Sequence, residues 1–196
     1  MRLLSDRCMK VFPVSLLKSL NLSRLFRPNP FRPPLLDGHA PVRALWHHSV
    51  ALARDPAWYR DDGVADTVPG RFDVITLVLC LVLLRMEQDP ALILPTVLLT
   101  ELFVEDMDGQ LRESGVGDLV VGKHIGKLMG VLGGRLGAYR TSLAKTDNAA
   151  LLAALTRNVT LLDGADAAAL AGTVRGLAKR LSALDAGQVL AGDFSR

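Results

Sequence analysis

Apolar residues occur in long runs between Pro41 and Leu184, and charged segments separate these runs. The longest uncharged run, Val74–Leu84, is apolar on nearly every side of a helix, which predicts a helix over Arg71–Glu87 that is buried at the centre of a domain. A β-strand is the competing interpretation because several of these residues are β-branched, but the length of the run favours a helix. A membrane span needs about 20 apolar residues, so the run does not predict a transmembrane segment.

Apolar residues recur at helical spacing in five further segments. A proline opens the first segment, as helices tolerate, while Gly115 and Asp118 supply the stop and the N-cap between the second and the third. Apolar residues spaced 4-3-4-3 in the last segment form a seam for packing against another helix. Trp58–Gly70 is predicted to be a loop with a turn at Pro69-Gly70. The predicted helices are Pro41–Ala53, Thr96–Glu113, Asp118–Ala144, Asn148–Val159 and a last helix from the N-cap Asp166 to about Leu184.

These segments predict an all-α fold, with a single globular domain of about six or seven helices over residues 40–196. An extended, Pro-rich basic arm over residues 1–39 precedes it. Five prolines confine any helix of this arm to Val14–Phe26, whose apolar residues do not gather on one helical face. Two interpretations of the arm stay open, a loosely packed segment and a membrane-skimming helix.

Charge is divided unevenly along the chain. Residues 1–60 carry ten Lys/Arg against three Asp/Glu, a net +7, whereas residues 61–196 carry thirteen against seventeen, a net −4. A basic leader suits attraction to an anionic surface, either lipid headgroups or RNA, although evenly spaced arginines in a disordered leader produce the same count. The leader faintly resembles a mitochondrial transit peptide, while the Ala/Gly/Arg/Asp-rich body favours a bacterial cytoplasmic protein. We expect a cytoplasmic location with peripheral attachment to the inner membrane, or the matrix side if the protein is eukaryotic.

Catalytic and metal-binding motifs are absent from the sequence. Asp106-Met107-Asp108-Gly109 resembles the start of a calcium loop, but the later positions that should carry ligands hold other residues. The four histidines lack metal-ligand spacing, and no serine lies in a nucleophile motif. Cys80 lies inside the longest apolar run, which predicts a buried, unreactive thiol. The sequence therefore predicts no enzyme, no metal site, no cofactor and no sequence-specific nucleic-acid binding.

Charged residues line one face of the predicted helix Thr96–Glu113. They follow the spacing i, i+4, i+7, i+11, which places them on the same side of a helix. A solvated face with an ordinary ion pair is one interpretation, and a surface that contacts a partner is the other. The residues are Glu101, Glu105, Asp108 and Arg112.

Glycine recurs at every fourth position of the longest predicted helix, on the face beside its bulky stripe. Each glycine costs about 1 kcal/mol relative to alanine, so a bare backbone surface must have a use. It either packs inside the domain or forms an apolar groove for a foreign helix or acyl chain. We expect internal packing for Gly122 and Gly126. Gly133 and Gly134 are expected to be exposed, since Arg135 indicates nearby solvent. The ladder comprises Gly122, Gly126, Gly130 and Gly134.

Two blocks of the sequence, Trp58–Asp73 and Phe103–Asp118, resemble a known family signature in its expected order. The family is that of the ubiquinol–cytochrome c chaperones, assembly factors of respiratory complex III, and the resemblance covers about residues 58–139. The first block matches at Trp58, Tyr59, Asp66, Gly70, Arg71 and Phe72. The second matches at Asp106, Asp108, Leu111, Arg112, Glu113, Gly115, Gly117 and Asp118.

The resemblance implies an all-helical, non-catalytic assembly chaperone that binds newly made cytochrome b, with the basic arm meeting the ribosome or an anionic membrane. The alternative is a peripheral membrane protein that binds a lipid, a quinone or another small apolar ligand in a glycine-lined helical groove. The two hypotheses share the glycine-lined groove and differ in its occupant. The candidate partner-binding residues are Trp58, Tyr59, Asp66, Arg71, Glu101, Glu105, Asp108, Arg112, Gly126, Gly130 and Gly134.

Overall fold

The computed structural model describes residues 38–113 and 118–196, with side chains outside 111–124. The predicted arm up to residue 37 and the predicted stop at Gly115 lie outside these residues. Within them, one isolated bridge joins Val64 and Leu161 and no β-strand forms. The helices are α1 (Ala40–Ala53), α2 (Ala57–Arg60), α3 (Val68–Met86), α4 (Ile93–Glu113), α5 (Asp118–Leu143), α6 (Ala149–Asn158), α7 (Ala168–Ser182) and α8 (Ala186–Ala191). The predicted all-α domain is confirmed, since seven of these helices have six or more residues.

Helix α3 is the buried centre of the fold, as the long apolar run predicts. It packs against α1, α5 and α7, and nearly all of its side chains from Val74 to Leu83 are buried. Thr67 caps its start, because the threonine Oγ1 accepts a hydrogen bond from the backbone N–H of Gly70 at 3.2 Å. Cys80 is fully buried, as predicted, and this burial raises the pKa of its thiol to about 12.

Several helix boundaries differ from the prediction. Pro69-Gly70 lies in the first turn of α3 and not in a turn between elements, because proline lacks only an N–H that has no intrahelical partner there. Pro95 enters the first turn of α4 for the same reason, so α4 begins at Ile93. The predicted loop after Trp58 contains most of the short helix α2. Helix α8 was not predicted, although Asp185 and Gln188 form a capping box at its start.

A buried ion pair joins α3 to α5. Arg135 Nη2 donates a hydrogen bond to Asp73 Oδ1 at 2.5 Å, and these side chains are 12% and 8% exposed. The other Asp73 oxygen accepts from the backbone N–H and the hydroxyl of Thr160, at 2.9 and 2.7 Å. Arg135 also donates to Thr76 and lies 5.6 Å from the ring centroid of Phe72. The prediction that Arg135 lies near solvent is therefore wrong.

Residues 192–196 close over α1 and α2. The ring of Phe194 meets that of His48 edge-on, with centroids 4.7 Å apart. Arg196 bonds the buried carboxylate of Asp62, and its guanidinium lies 5.0 Å from the ring centroid of Trp58. Gly192 makes the turn possible, because its φ of 75° favours glycine and a Cβ would lie 2.7 Å from that of His48.

We expect Leu79→Asp to unfold the domain, because Leu79 is fully buried in α3 and an unpaired buried carboxylate costs several kcal/mol. Because the total stability of a domain is only about 5–15 kcal/mol, a loss of this size removes much of it. Val68→Asp on the same helix is the matched control, since Val68 is 83% exposed. Thermal melts of both variants test the placement, and an unchanged Tm for Leu79→Asp would contradict it.

Candidate partner-binding groove

A groove of about 1200 Å³ lies between the α1–α2 corner, the start of α3, the end of α4 and the middle of α5. Apolar side chains form most of its floor, and charged side chains stand at its rim. The groove is therefore suited to an apolar partner that carries polar or charged groups at its edge. The floor includes Val68, Phe72, Ile75, Met107, Leu128 and Val131, and the charged residues are Arg54, Arg60, Asp66, Arg71 and Lys127.

The first two turns of α3 form one wall of the groove. Val68, Phe72 and Ile75 follow the spacing i, i+4, i+7, which puts them on one side of the helix. Gly70 lets this end of α3 approach the preceding segment, because a Cβ at this position would lie 2.0 Å from the Ala65 carbonyl oxygen. The close approach fixes where the wall begins and leaves Val68 exposed to solvent.

The polar groups at the rim are tied to their neighbours. Arg71 Nε donates to Asp66 Oδ1 at 2.6 Å, and this hydrogen bond lowers the pKa of the Asp66 carboxyl. Arg60 pairs with Asp61 in the same way at 2.7 Å. The Tyr59 hydroxyl donates to the Ala53 carbonyl oxygen at 2.9 Å, and partial burial raises its pKa. The rim thus presents two ion pairs together with the cationic side chains of Arg54 and Lys127, and these groups are suited to orienting a partner.

The structure divides the candidate residues of the first sequence block, Trp58–Asp73, into two sets. Tyr59, Asp66 and Arg71 line the groove together. Trp58 does not, because its side chain is fully buried and its indole N–H donates to the Leu52 carbonyl oxygen at 2.8 Å. Trp58 belongs to the core, so the surface that we propose below excludes it.

The acidic candidates lie on another side of α4. Glu101 and Glu105 flank the imidazole of His39, with oxygen–nitrogen distances of 3.6 and 3.5 Å, and Asp108 is half-buried on the same side. Met107 and Gln110 of α4 line the groove instead. The Arg112 side chain lies outside the described residues. The predicted acidic face therefore exists, but it does not belong to the groove.

The glycine ladder of α5 is open over its described part. Cβ atoms built at Gly126, Gly130 and Gly134 would meet no neighbouring atom within 4 Å. The prediction of internal packing for Gly126 is wrong, because this side of α5 points away from the buried residues Ile125, Leu132 and Leu136. Gly133 and Gly134, which are expected to be exposed, are half-buried. Gly134 nevertheless has free space beside it, and so does Gly137. The surroundings of Gly122 lie outside the described residues.

The open glycine face borders the groove. At about 100° per residue, Gly134 and Lys127 are neighbours around the α5 axis, and Val131 follows on the groove side. The glycine face and the groove therefore lie on adjacent sides of α5, with Lys127 between them. Sequence reasoning missed the α3 wall of the groove, although the apolar spacing of Val68, Phe72 and Ile75 signals it.

Two kinds of feature are absent from the part of the chain that the structure describes. No group of three or more His, Cys, Asp or Glu side chains there could hold a metal ion. No helix there is both long enough and apolar enough to cross a membrane.

Comparisons with known proteins converge on one family. The profile of the family described as ubiquinol-cytochrome C chaperone matches residues 60–196. Among solved structures, the chain is similar to the crystal structure of the Cbp3 homolog from Brucella abortus, with 35% sequence identity and a TM-score of 0.69. That similarity covers 80% of this chain and 88% of the other. Among curated proteins, no significant match is found.

Two glycine substitutions should distinguish a glycine in close contact with backbone atoms from a glycine on an open surface. Gly130→Ala should leave the free energy of unfolding unchanged or raise it by up to about 1 kcal/mol, because alanine favours the helix and the space is free. Gly70→Ala should lower it by about 1–3 kcal/mol or more, since backbone atoms cannot yield to the added methyl group. Urea unfolding measures both values. Equal losses at the two positions would contradict the open glycine face.

Proposed function

The chain belongs to the ubiquinol–cytochrome c chaperone family, and on that premise we propose that it is a non-catalytic assembly chaperone. It binds newly made cytochrome b and supports assembly of ubiquinol–cytochrome c reductase, respiratory complex III. The observation that carries this proposal beyond the family is the open apolar groove beside the glycine face of α5. An apolar segment waiting for membrane insertion needs a surface of this kind.

The size of the groove sets how much of a client it holds. A helix about 10 Å across fills about 120 Å³ per residue at a rise of about 1.5 Å, so a groove of about 1200 Å³ holds roughly ten residues. A transmembrane helix has about 20 residues. The groove therefore covers about half of one client segment, and the glycine face offers room for the remainder to lie along α5.

The chemistry of the groove supports a binding role. Val68, Phe72 and Leu128 offer packing surface, and the hydrogen-bonding groups of Tyr59 and Arg71 already have partners within the protein. Small rearrangements of the rim would let these groups form hydrogen bonds with polar atoms at the edge of a bound client. The role requires no proton transfer and no covalent intermediate.

The chaperone is proposed to act in the cytoplasm, at the periphery of the inner membrane where cytochrome b is inserted. The basic stretch within residues 1–60 suits contact with anionic lipid or with the ribosome. Client binding by the folded domain and attachment through the basic leader are separate parts of this proposal.

A second candidate function is binding of a lipid, a quinone or another small apolar ligand. The groove exceeds the 300–1,000 Å³ that is typical of ligand pockets, and Arg54 and Lys127 stand where a polar headgroup would emerge. This candidate shares the groove with the chaperone and differs in the occupant.

Deleting the gene should lower the amount of assembled complex III and of its cytochrome b, and should leave the other respiratory complexes largely intact. A plasmid copy carrying Val68→Glu should restore complex III poorly, because a carboxylate at the groove wall repels an apolar client. Leu162→Glu is the matched control, since Leu162 is an exposed apolar residue that does not line the groove. Native gels and haem spectra measure the outcome. Normal complex III in the deletion strain would refute the proposed function.

Native mass spectrometry of gently purified protein should distinguish the two occupants. A chaperone without its client should give the mass of the bare chain, whereas a ligand-binding protein should carry a stoichiometric lipid or quinone. A carried ligand should be lost in Val68→Glu and kept in Leu162→Glu, because only the first substitution places a charge in the groove. A bound ligand that both variants retain would show that it lies elsewhere.

A further inference from the structure

The outer face of α4 combines exposed apolar side chains with carboxylates. Leu94 is 67% exposed, Val97 is half-buried, and Glu101 and Glu105 follow on the same side of the helix. Ile93 beside them is 57% exposed. The face that they form, called the outer α4 face below, points away from the groove and plays no part in the proposed function. It suits a partner that offers both apolar and cationic side chains.

The chain enters its folded domain on this face. His39 precedes α1, and its ring nitrogens lie 3.6 Å from Glu101 and 3.5 Å from Glu105. The His39 side chain is only 10% exposed. The part of the chain that the structure describes therefore starts beside the outer α4 face.

Residues 1–37 have the composition that this face requires. They carry seven Lys/Arg against two Asp/Glu, a net +5, and since the whole chain carries +3, residues 38–196 carry −2. The stretch Val14–Arg27 contains five leucines, one phenylalanine and three cationic residues, with no acidic residue. Its leucines complement Leu94 and Val97, and its cations complement the two glutamates.

We infer that the segment Val14–Arg27 docks on the outer α4 face of its own chain. Eleven residues separate Arg27 from His39, and they reach at most about 40 Å. Helix α4, with 21 residues, is about 32 Å long, so the segment can reach any part of it. A short tether also provides an effective concentration of about a millimolar. Docking covers Ile93 and Leu94, and it concerns a surface outside the proposed client groove, although it uses part of the basic leader that is proposed to meet lipid or the ribosome.

Zero-length carbodiimide cross-linking of the full chain at low salt tests the docking. A carbodiimide joins a lysine amine to a carboxylate only when the two are in contact. We expect Lys18 to be linked to Glu101 or Glu105 at least about fivefold more often than to Asp163, an exposed carboxylate outside α4. Mixing isotopically labelled and unlabelled chains separates links within one chain from links between two.

Leu94→Ser should reduce these links at least about threefold without removing a reactive group, and Leu162→Ser is the matched exposed control. Equal thermal melts would show that both variants are folded. Raising the salt concentration should also weaken the links, because exposed charges are screened. Three results would each overturn the inference. They are equal linkage of Lys18 to Glu105 and to Asp163, linkage only between two chains, and unchanged linkage in Leu94→Ser.

Discussion

The buried ion pair between Asp73 and Arg135 holds the groove together. It connects α3 to α5, and through Thr160 it also fixes the segment after α6. A buried charge is tolerated only with a partner, and removing one partner of such a pair typically costs about 3–5 kcal/mol. Phe72 lies beneath the Arg135 guanidinium and also lines the groove. This electrostatic contact thus helps to set the spacing between the α3 and α5 sides of the groove, together with the apolar packing of the two helices.

Helix α4 separates two surfaces of different chemistry. Met107 and Gln110 near its end contribute to the groove, while Glu101 and Glu105 belong to the outer α4 face. The core contacts of α4 come from the groove side of the helix, where Leu99 and Phe103 precede Met107 and Gln110 at helical spacing and Leu102 lies beside them. Because the surfaces do not overlap, occupation of one does not block the other sterically.

The helices could be predicted from the sequence because their apolar periodicity is long and regular. Boundaries near prolines could not, since Pro69 and Pro95 are compatible with either a turn or a first helical turn, and packing decides between them. The site was predicted only in part. Tyr59, Asp66 and Arg71 line the groove, but a sequence motif does not show that Trp58 points inwards.

Long-range contacts explain the two clearest errors. The sequence predicts solvent near Arg135 because arginine usually lies at the surface. Its partner Asp73 is 62 positions away in the sequence, so no local pattern signals the buried pair. The surroundings of Gly126 depend on which side of α5 meets the core, and that side is set by the placement of α3, α4 and α6. Such contacts follow from the whole arrangement of helices and leave no local signature.

The open glycine face also bears on the motions of α5. Gly126, Gly130, Gly134 and Gly137 each lower the helix propensity by about 1 kcal/mol relative to alanine, with free space beside them. Local opening should therefore need less free energy in α5 than in α3, whose side chains are buried almost all round. Backbone amides of the glycine turns should exchange hydrogen sooner than those around Leu79. The proposed client surface lies beside this helix, so small shifts of α5 would accommodate a client while α3 keeps the domain folded.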